Sequence, residues 1–216
     1  MATPRLAGPA ARPWLALGAV LAAGIGGLHA LTYGLSAWTL DERRDLRIAS
    51  LDLQMPATAV QNQQGHGVQL FSGNATSTVY IVDFIYTRCN TVCSALGGEF
   101  AQLSRQVKAD GLSGQLGLVS ISLDARDTAG DLKTYAATYR ASLPEWEVVT
   151  ASDSRELKAL LRQADVIAIP DGMGGITHNG ALDVVSANGV VLATYPMEQF
   201  QQAYLFARSL VRQAAR

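Results

Sequence analysis

The chain has 216 residues, a formal net charge of −1 and 16% charged residues, so it carries neither a basic surface for nucleic acid nor a strongly anionic one. Its two cysteines are too few and too close together to be the disulfide framework of a small secreted domain. No repeat of solenoid length is present. With an apolar N-terminal segment set aside, roughly 165–175 residues remain, enough for one well-buried domain.

That segment, WLALGAVLAAGIGGLHALTYGLSAW over 14–38, runs for 25 residues without a formal charge. At about 1.5 Å per residue it is long enough to cross a bilayer core of roughly 30 Å, and a tryptophan at each end suits the two interfaces. A cleaved signal peptide is the competing reading, with Leu35-Ser36-Ala37 as a weak cleavage site, but its apolar core is normally only about 7–15 residues. Arg5 and Arg12 before the span and Arg43, Arg44 and Arg47 after it leave the positive-inside count undecided. A short tail followed by one long domain favours a domain outside the cytoplasm. The expected layout is a tail at 1–13, an anchor at 14–38, an irregular polar linker at 39–65 and one domain at 66–216. No Arg- and Ser-rich presequence precedes the span, which points to a bacterial inner membrane.

Within the domain a short strand is expected at 68–71. The run VYIVDFIY over 79–86 has the β-branched and aromatic density of a central strand. A helix follows over about 94–109, with Phe100, Leu103 and Val107 on one face and Asp110-Gly111 as its stop. Then come a strand at 117–123, a helix at 131–141 ended by Pro144, and a strand at 146–150. Ser152-Asp153 caps a helix reaching about 164. Segments 180–186 and 190–195 flank Ala187-Asn188-Gly189, a strong hairpin signal, and a helix over 198–212 closes the chain. Strands alternating with helices give an α/β class with a mixed sheet, and the order fits a thioredoxin-like fold with an insertion.

The chemistry concentrates in Cys89-Asn90-Thr91-Val92-Cys93, at the junction of the expected central strand and the next helix. A helix N-terminus lowers thiol pKa and favours the thiolate that binds metal or attacks disulfides, and Arg88 is placed to add to that effect. In a helical segment the two sulfurs, four residues apart, share a face. Two cysteines and three histidines fall short of a structural zinc site, whereas two thiolates and one imidazole suit a soft ion at low coordination number, Cu(I) above all. Of the histidines, His29 lies in the apolar span and His66 in a Gly-flanked loop. His178 follows the Gly-rich loop 170–175 and precedes the strand near 180, a junction that in a thioredoxin-like fold lies beside the cysteine loop. Met173 in that loop is a possible soft auxiliary ligand, though a plain loop methionine explains it as well.

The segment DFIYTRCNTVC over 83–93 and the stretch SISLDARDT over 120–128, followed by a helix and a Trp-containing strand, resemble the Sco/SenC family of copper chaperones for cytochrome c oxidase assembly. A histidine 85 residues after the second cysteine (178 − 93) matches the family in order and spacing. The resemblance spans roughly 65–212. It implies a thioredoxin fold, one N-terminal span, an extracytoplasmic domain, and copper, Cu(I) or Cu(II) and one per chain, on Cys89, Cys93 and His178. It further implies two partners: the copper-site subunit of the oxidase and a copper donor protein. Asp124 and Asp127 match positions near the family's site, with capping of the next helix as the local explanation. Asn90 and Ser94 replace the family's usual prolines after the two cysteines, the mark of a divergent branch. Two other functions use the same cysteines: a thiol–disulfide reductase, which needs no histidine, and a redox or copper sensor. The spacing here is one residue longer than the Cys-x-x-Cys of thioredoxin-type enzymes. Copper transfer turns over no substrate, so enzyme activity in the usual sense is not expected beyond thiol–disulfide exchange.

Overall fold

Runs of β-branched residues separated by amphipathic stretches dictate an alternation of strands and helices, and a computed structural model of the chain shows how they assemble. It describes residues 12–73, 77–88, 92–170, 176–178 and 181–215. The chain divides into two compact units, Met1–Leu46 and Arg47–Arg216.

The first unit is built on α1 (Arg12–Leu31), 20 residues long and apolar enough by length and composition to cross a membrane. The helix is shorter than the 14–38 span expected. The chain turns after Leu31, with Tyr33 and Leu35 at positive φ and Thr32 Oγ1 donating to the Leu28 carbonyl at 2.7 Å. His29 sits in the last turn of α1, its ring against Gly34.

The linker expected to be irregular is largely ordered. Helix α2 (Leu40–Ala49) starts on a capping box. Thr39 Oγ1 accepts from the Glu42 N–H at 3.1 Å, and Glu42 Oε2 accepts from the Trp38 and Thr39 N–H groups. Beyond it Leu53 and Met55 are fully buried, and the Met55 N–H donates to the Gly189 carbonyl. Strand β1 (Thr58–Asn62) then pairs antiparallel with β2 (Gly67–Leu70).

The other strands are β3 (Val79–Ile85), β4 (Leu116–Ser122), β5 (Trp146–Ala151), β6 (Ala168–Pro170), β7 (Ile176–His178), β8 (Leu182–Ser186) and β9 (Val191–Tyr195). Seven form one sheet in the order β2-β1-β5-β4-β3-β8-β9, and β6 and β7 make a separate antiparallel pair. β3, β4 and β5 are mutually parallel, while β8 runs antiparallel to β3. Every residue of β4 is buried, as expected for a central strand covered on both faces.

Helices α3 (Val92–Ala109), α4 (Ala129–Tyr139) and α6 (Phe200–Ala214) cover one face; a 3-10 turn, Met197–Gln199, leads into α6. Their Phe100, Leu132, Tyr135 and Tyr204 pack with Ile81, Ile85, Leu118 and Trp146. Leu160 of α5 (Ser154–Gln163) shares the other face with Ile48, Leu53, Met55 and Phe71. Asp153 caps α5 as expected, accepting from the Arg155 and Glu156 N–H groups. The Ala187-Asn188-Gly189 hairpin is also present. Gly189 takes φ +88°, and a Cβ there would lie 2.1 Å from the Met55 carbonyl oxygen, so only glycine fits.

Candidate metal centre

β3 delivers the chain to the cysteines. Tyr86, Thr87 and Arg88 follow it, and α3 begins at Val92, two residues before the expected start, so Cys93 stands in its first turn. Cys89 lies outside the described residues, as do Asn90 and Thr91.

The approach to Cys89 is tied to the loop after β4. β3 and β4 run parallel and in register to their ends, Ile85 opposite Ser122, so the segments leaving them stay side by side. Arg88 Nη1 donates to Asp124 Oδ2 at 2.6 Å, and its Nη2 lies 3.1 Å from Asp127 Oδ1, an ion pair off the hydrogen-bond line. Asp127 Oδ2 accepts from Thr87 Oγ1 at 2.7 Å and from Ser122 Oγ at 2.6 Å. Arg126 grips Asp124 from the other side, Nε to Oδ1 at 2.9 Å and Nη2 to Oδ2 at 2.8 Å. Those bonds hold the buried Asp124 carboxyl down at a pKa of about 2, its burial pulling the other way. Capping of α4 is therefore not the role of these aspartates: that helix starts on Thr128 and Asp131, which form its capping box. Arg88, expected to add positive potential at the thiols, is paired with two carboxylates.

His178 is the last residue of β7, with Ala168 of β6 opposite it, so it closes a short strand instead of ending a loop. Three residues separate it from Leu182, where β8 begins. Asp183 of β8 stands opposite Val82, so the chain enters β8 from the sheet end at which β3 exits toward Cys89. Met173 and the glycines of the 171–175 loop lie outside the described residues. His66 lies in the β1–β2 turn, its N–H donating to Asn62 Oδ1 and its carbonyl accepting from the Asn62 N–H, a backbone role. Among the described residues, no group of three or more His, Cys, Asp or Glu is arranged to hold a metal ion.

Sequence reasoning missed Asp83. It is fully buried in β3 on the face shared with Ile81 and Ile85, and neither carboxylate oxygen has a hydrogen-bond partner. Burial pushes its pKa up to about 8, with Ser120 opposite it in β4 pulling weakly the other way. The available signal was an acid inside the run VYIVDFIY.

A mixed sheet with helices on both faces and a dithiol motif where a parallel strand meets its helix defines the thioredoxin-like class. Residues 59–211 match the SCO1/SenC family model, and the chain belongs to that family. It is 28% identical over 148 residues to the SCO1 protein homolog of Bacillus subtilis, 67% of this chain and 75% of that protein. Among solved structures it is similar to BsSco, described as a member of the Sco family of cytochrome c oxidase assembly proteins, with a TM-score of 0.63 and 24% identity over 74% of this chain and 94% of that one. It is also similar to Bradyrhizobium japonicum ScoI with copper bound, with a TM-score of 0.57 and 20% identity over 70% and 96% of the two chains.

Proposed function

We propose that the chain is a membrane-anchored copper-binding protein of a bacterial inner membrane, with its domain in the periplasm. It holds one copper ion on Cys89, Cys93 and His178, and delivers copper to, or prepares the copper-site cysteines of, cytochrome c oxidase. The observation carrying this reading is topological: the sheet end leading to Cys89 is also the end entered after His178. Cys89 is four residues beyond Ile85 and His178 four before Leu182, so each Cα lies within about 14 Å of the strand end it is tied to. Neighbouring strands are only about 5 Å apart, so side chains on the two tethers can converge on one ion. Two thiolates and a neutral imidazole suit Cu(I). Family membership and the copper-bound ScoI relative support the same metal.

Oxidation of the pair to a disulfide gives up two electrons and removes both thiolate ligands, so copper occupancy and the disulfide exclude each other. The disulfide switch named for BsSco is in keeping with this exclusion. Release then proceeds by ligand exchange with client thiols or imidazoles, and recharging comes from a copper donor protein. A thiol–disulfide reductase is the second reading, favoured by Cys93 in the first turn of α3.

Anaerobic titration of the reduced, detergent-solubilised chain with Cu(I) separates the two. The copper reading expects one tight ion per chain, lost in both Cys89→Ser and His178→Ala. If His178→Ala binds copper as the parent does while the dithiol reduces disulfides efficiently, the reductase reading stands instead.

A further inference from the structure

We propose that Asp127 and Asp124 are positioning residues of the cysteine pair: they fasten Thr87 and Arg88, the two residues before Cys89, to the end of β4, and they cancel the Arg88 charge at the thiols. The inference deepens the copper reading and rests on it only for its metal-binding arm.

Its basis is the division of labour in the network. Asp127 is buried, and its side chain reaches both residues, Thr87 through Oδ2 and Arg88 through Oδ1. It is itself fixed from below by Ser122 Oγ and by its own N–H donating to the Asp124 carbonyl at 3.0 Å. Asp124 is already neutralised by Arg126, so its 2.6 Å bond to Arg88 brings a second carboxylate to that guanidinium. Two guanidinium charges, Arg88 and Arg126, stand against two carboxylates, Asp124 and Asp127, and the cluster is neutral. Arg88 is 42% exposed, yet two of its guanidinium nitrogens face carboxylates of the protein.

The chemistry makes this neutrality matter. A disulfide is uncharged, a reduced pair gains one negative charge with each thiol that ionises, and Cu(I) on two thiolates has a net charge of −1. A free cation one residue from Cys89 therefore favours the reduced and copper-loaded states over the disulfide, and an uncompensated carboxylate disfavours them. Neutralising Asp127 and neutralising Arg88 must push the site in opposite directions. A purely structural role for the network would push it the same way in both.

The test uses the full chain in mild detergent, metal-free, equilibrated with reduced and oxidised dithiothreitol. Protein disulfide plus dithiothreitol gives reduced protein plus the cyclic disulfide of the reagent; two electrons and two protons leave the reagent, and one of those protons goes to solvent for each protein thiol that ionises. Trapping free thiols at equilibrium reads the constant. Asp127→Asn is expected to shift it about tenfold toward the dithiol, about 1.4 kcal/mol. Arg88→Gln shifts it severalfold toward the disulfide, and the double variant returns to within about threefold of the parent. Cu(I) competition with a chromophoric chelator is expected to move with the same signs. Shifts in one direction for both single variants, additive in the double, or no shift in either, overturn the proposal. Should Asp127→Asn fail to fold, Arg88→Gln on its partly exposed side chain decides: an unchanged constant refutes the charge cancellation. A parent chain that binds no Cu(I) would sink the copper reading and leave the exchange arm standing.

Discussion

Asp83→Asn tests whether the sheet carries an uncompensated carboxyl group at its centre. Asp83 is fully buried, its oxygens lack hydrogen-bond partners, and its pKa is raised to about 8. An unfolded aspartate titrates near 3.9. Between about pH 4 and pH 8 the folded chain therefore keeps a proton that the unfolded chain has lost, and stability falls as pH rises through that window. At about 1.4 kcal/mol per pH unit the loss from pH 4 to pH 7 is about 4 kcal/mol, a large share of the stability of a typical domain. Asparagine has nearly the same shape and does not titrate. The stability of Asp83→Asn relative to the parent should thus be close to zero at pH 4 and rise in favour of the variant to about 4 kcal/mol at pH 7. Urea unfolding of the reduced, metal-free chain at pH 4.5, 5.5, 6.5 and 7.5, followed by fluorescence of the buried Trp146, measures the difference directly. A difference that does not change with pH would refute the reasoning, because it would mean Asp83 titrates alike in the folded and unfolded chains.

Gly189→Ala should cost about 3 kcal/mol or more in urea unfolding, since the new methyl group meets the Met55 carbonyl oxygen at a positive φ. Thr128→Ala removes the capping box of α4 and should cost about 1 kcal/mol, read by calorimetry. Trp146→Phe loses the Nε1–H bond to Ser120 Oγ at 2.9 Å and part of the packing against Phe100, and should cost about 2–3 kcal/mol with a reduced near-UV circular dichroism signal. Asp124→Asn should flatten the acid limb of the stability curve. The parent's Asp124 contribution is complete above about pH 4 and is lost as pH falls toward 2, so the two proteins should converge below that pH.

The elements legible from sequence were those whose periodicity is set by a deep core. β3, α3, β4, β5, α5, the β8–β9 hairpin and α6 all stand within a few residues of their expected positions, because each buries an apolar face against the sheet. The misses have a different physics. α2 is polar, and its signature is the Thr39-x-x-Glu42 capping box, a signal about starts that says little about burial. β1 alternates buried and open positions in Thr-Ala-Val-Gln-Asn, where small and polar residues mask the pattern. β6 and β7 are three residues each and draw their order from each other, across a glycine-rich loop that reads as a break.

The candidate site divides along the same line. The cysteine pair was legible because its chemistry is local: two thiols four residues apart need no knowledge of the fold to be noticed. The network around Arg88 was not, because its contacts join residues 36 and 40 apart in sequence, a proximity created only by strand register. Asp124 and Asp127, seen alone, precede a helix and look like caps. Once Ile85 stands opposite Ser122 in a parallel pair, residues 87–88 and 122–127 must emerge together at one end of the sheet. A buried carboxylate there has few ways to be neutralised: Arg126 on the same loop serves Asp124, and Arg88 on the neighbouring exit reaches both Asp124 and Asp127. The register that makes the sheet thus determines which charge sits beside Cys89, and a one-residue slip between β3 and β4 would turn Asp83, Ser120 and Ser122 to different faces and dismantle the network with the core.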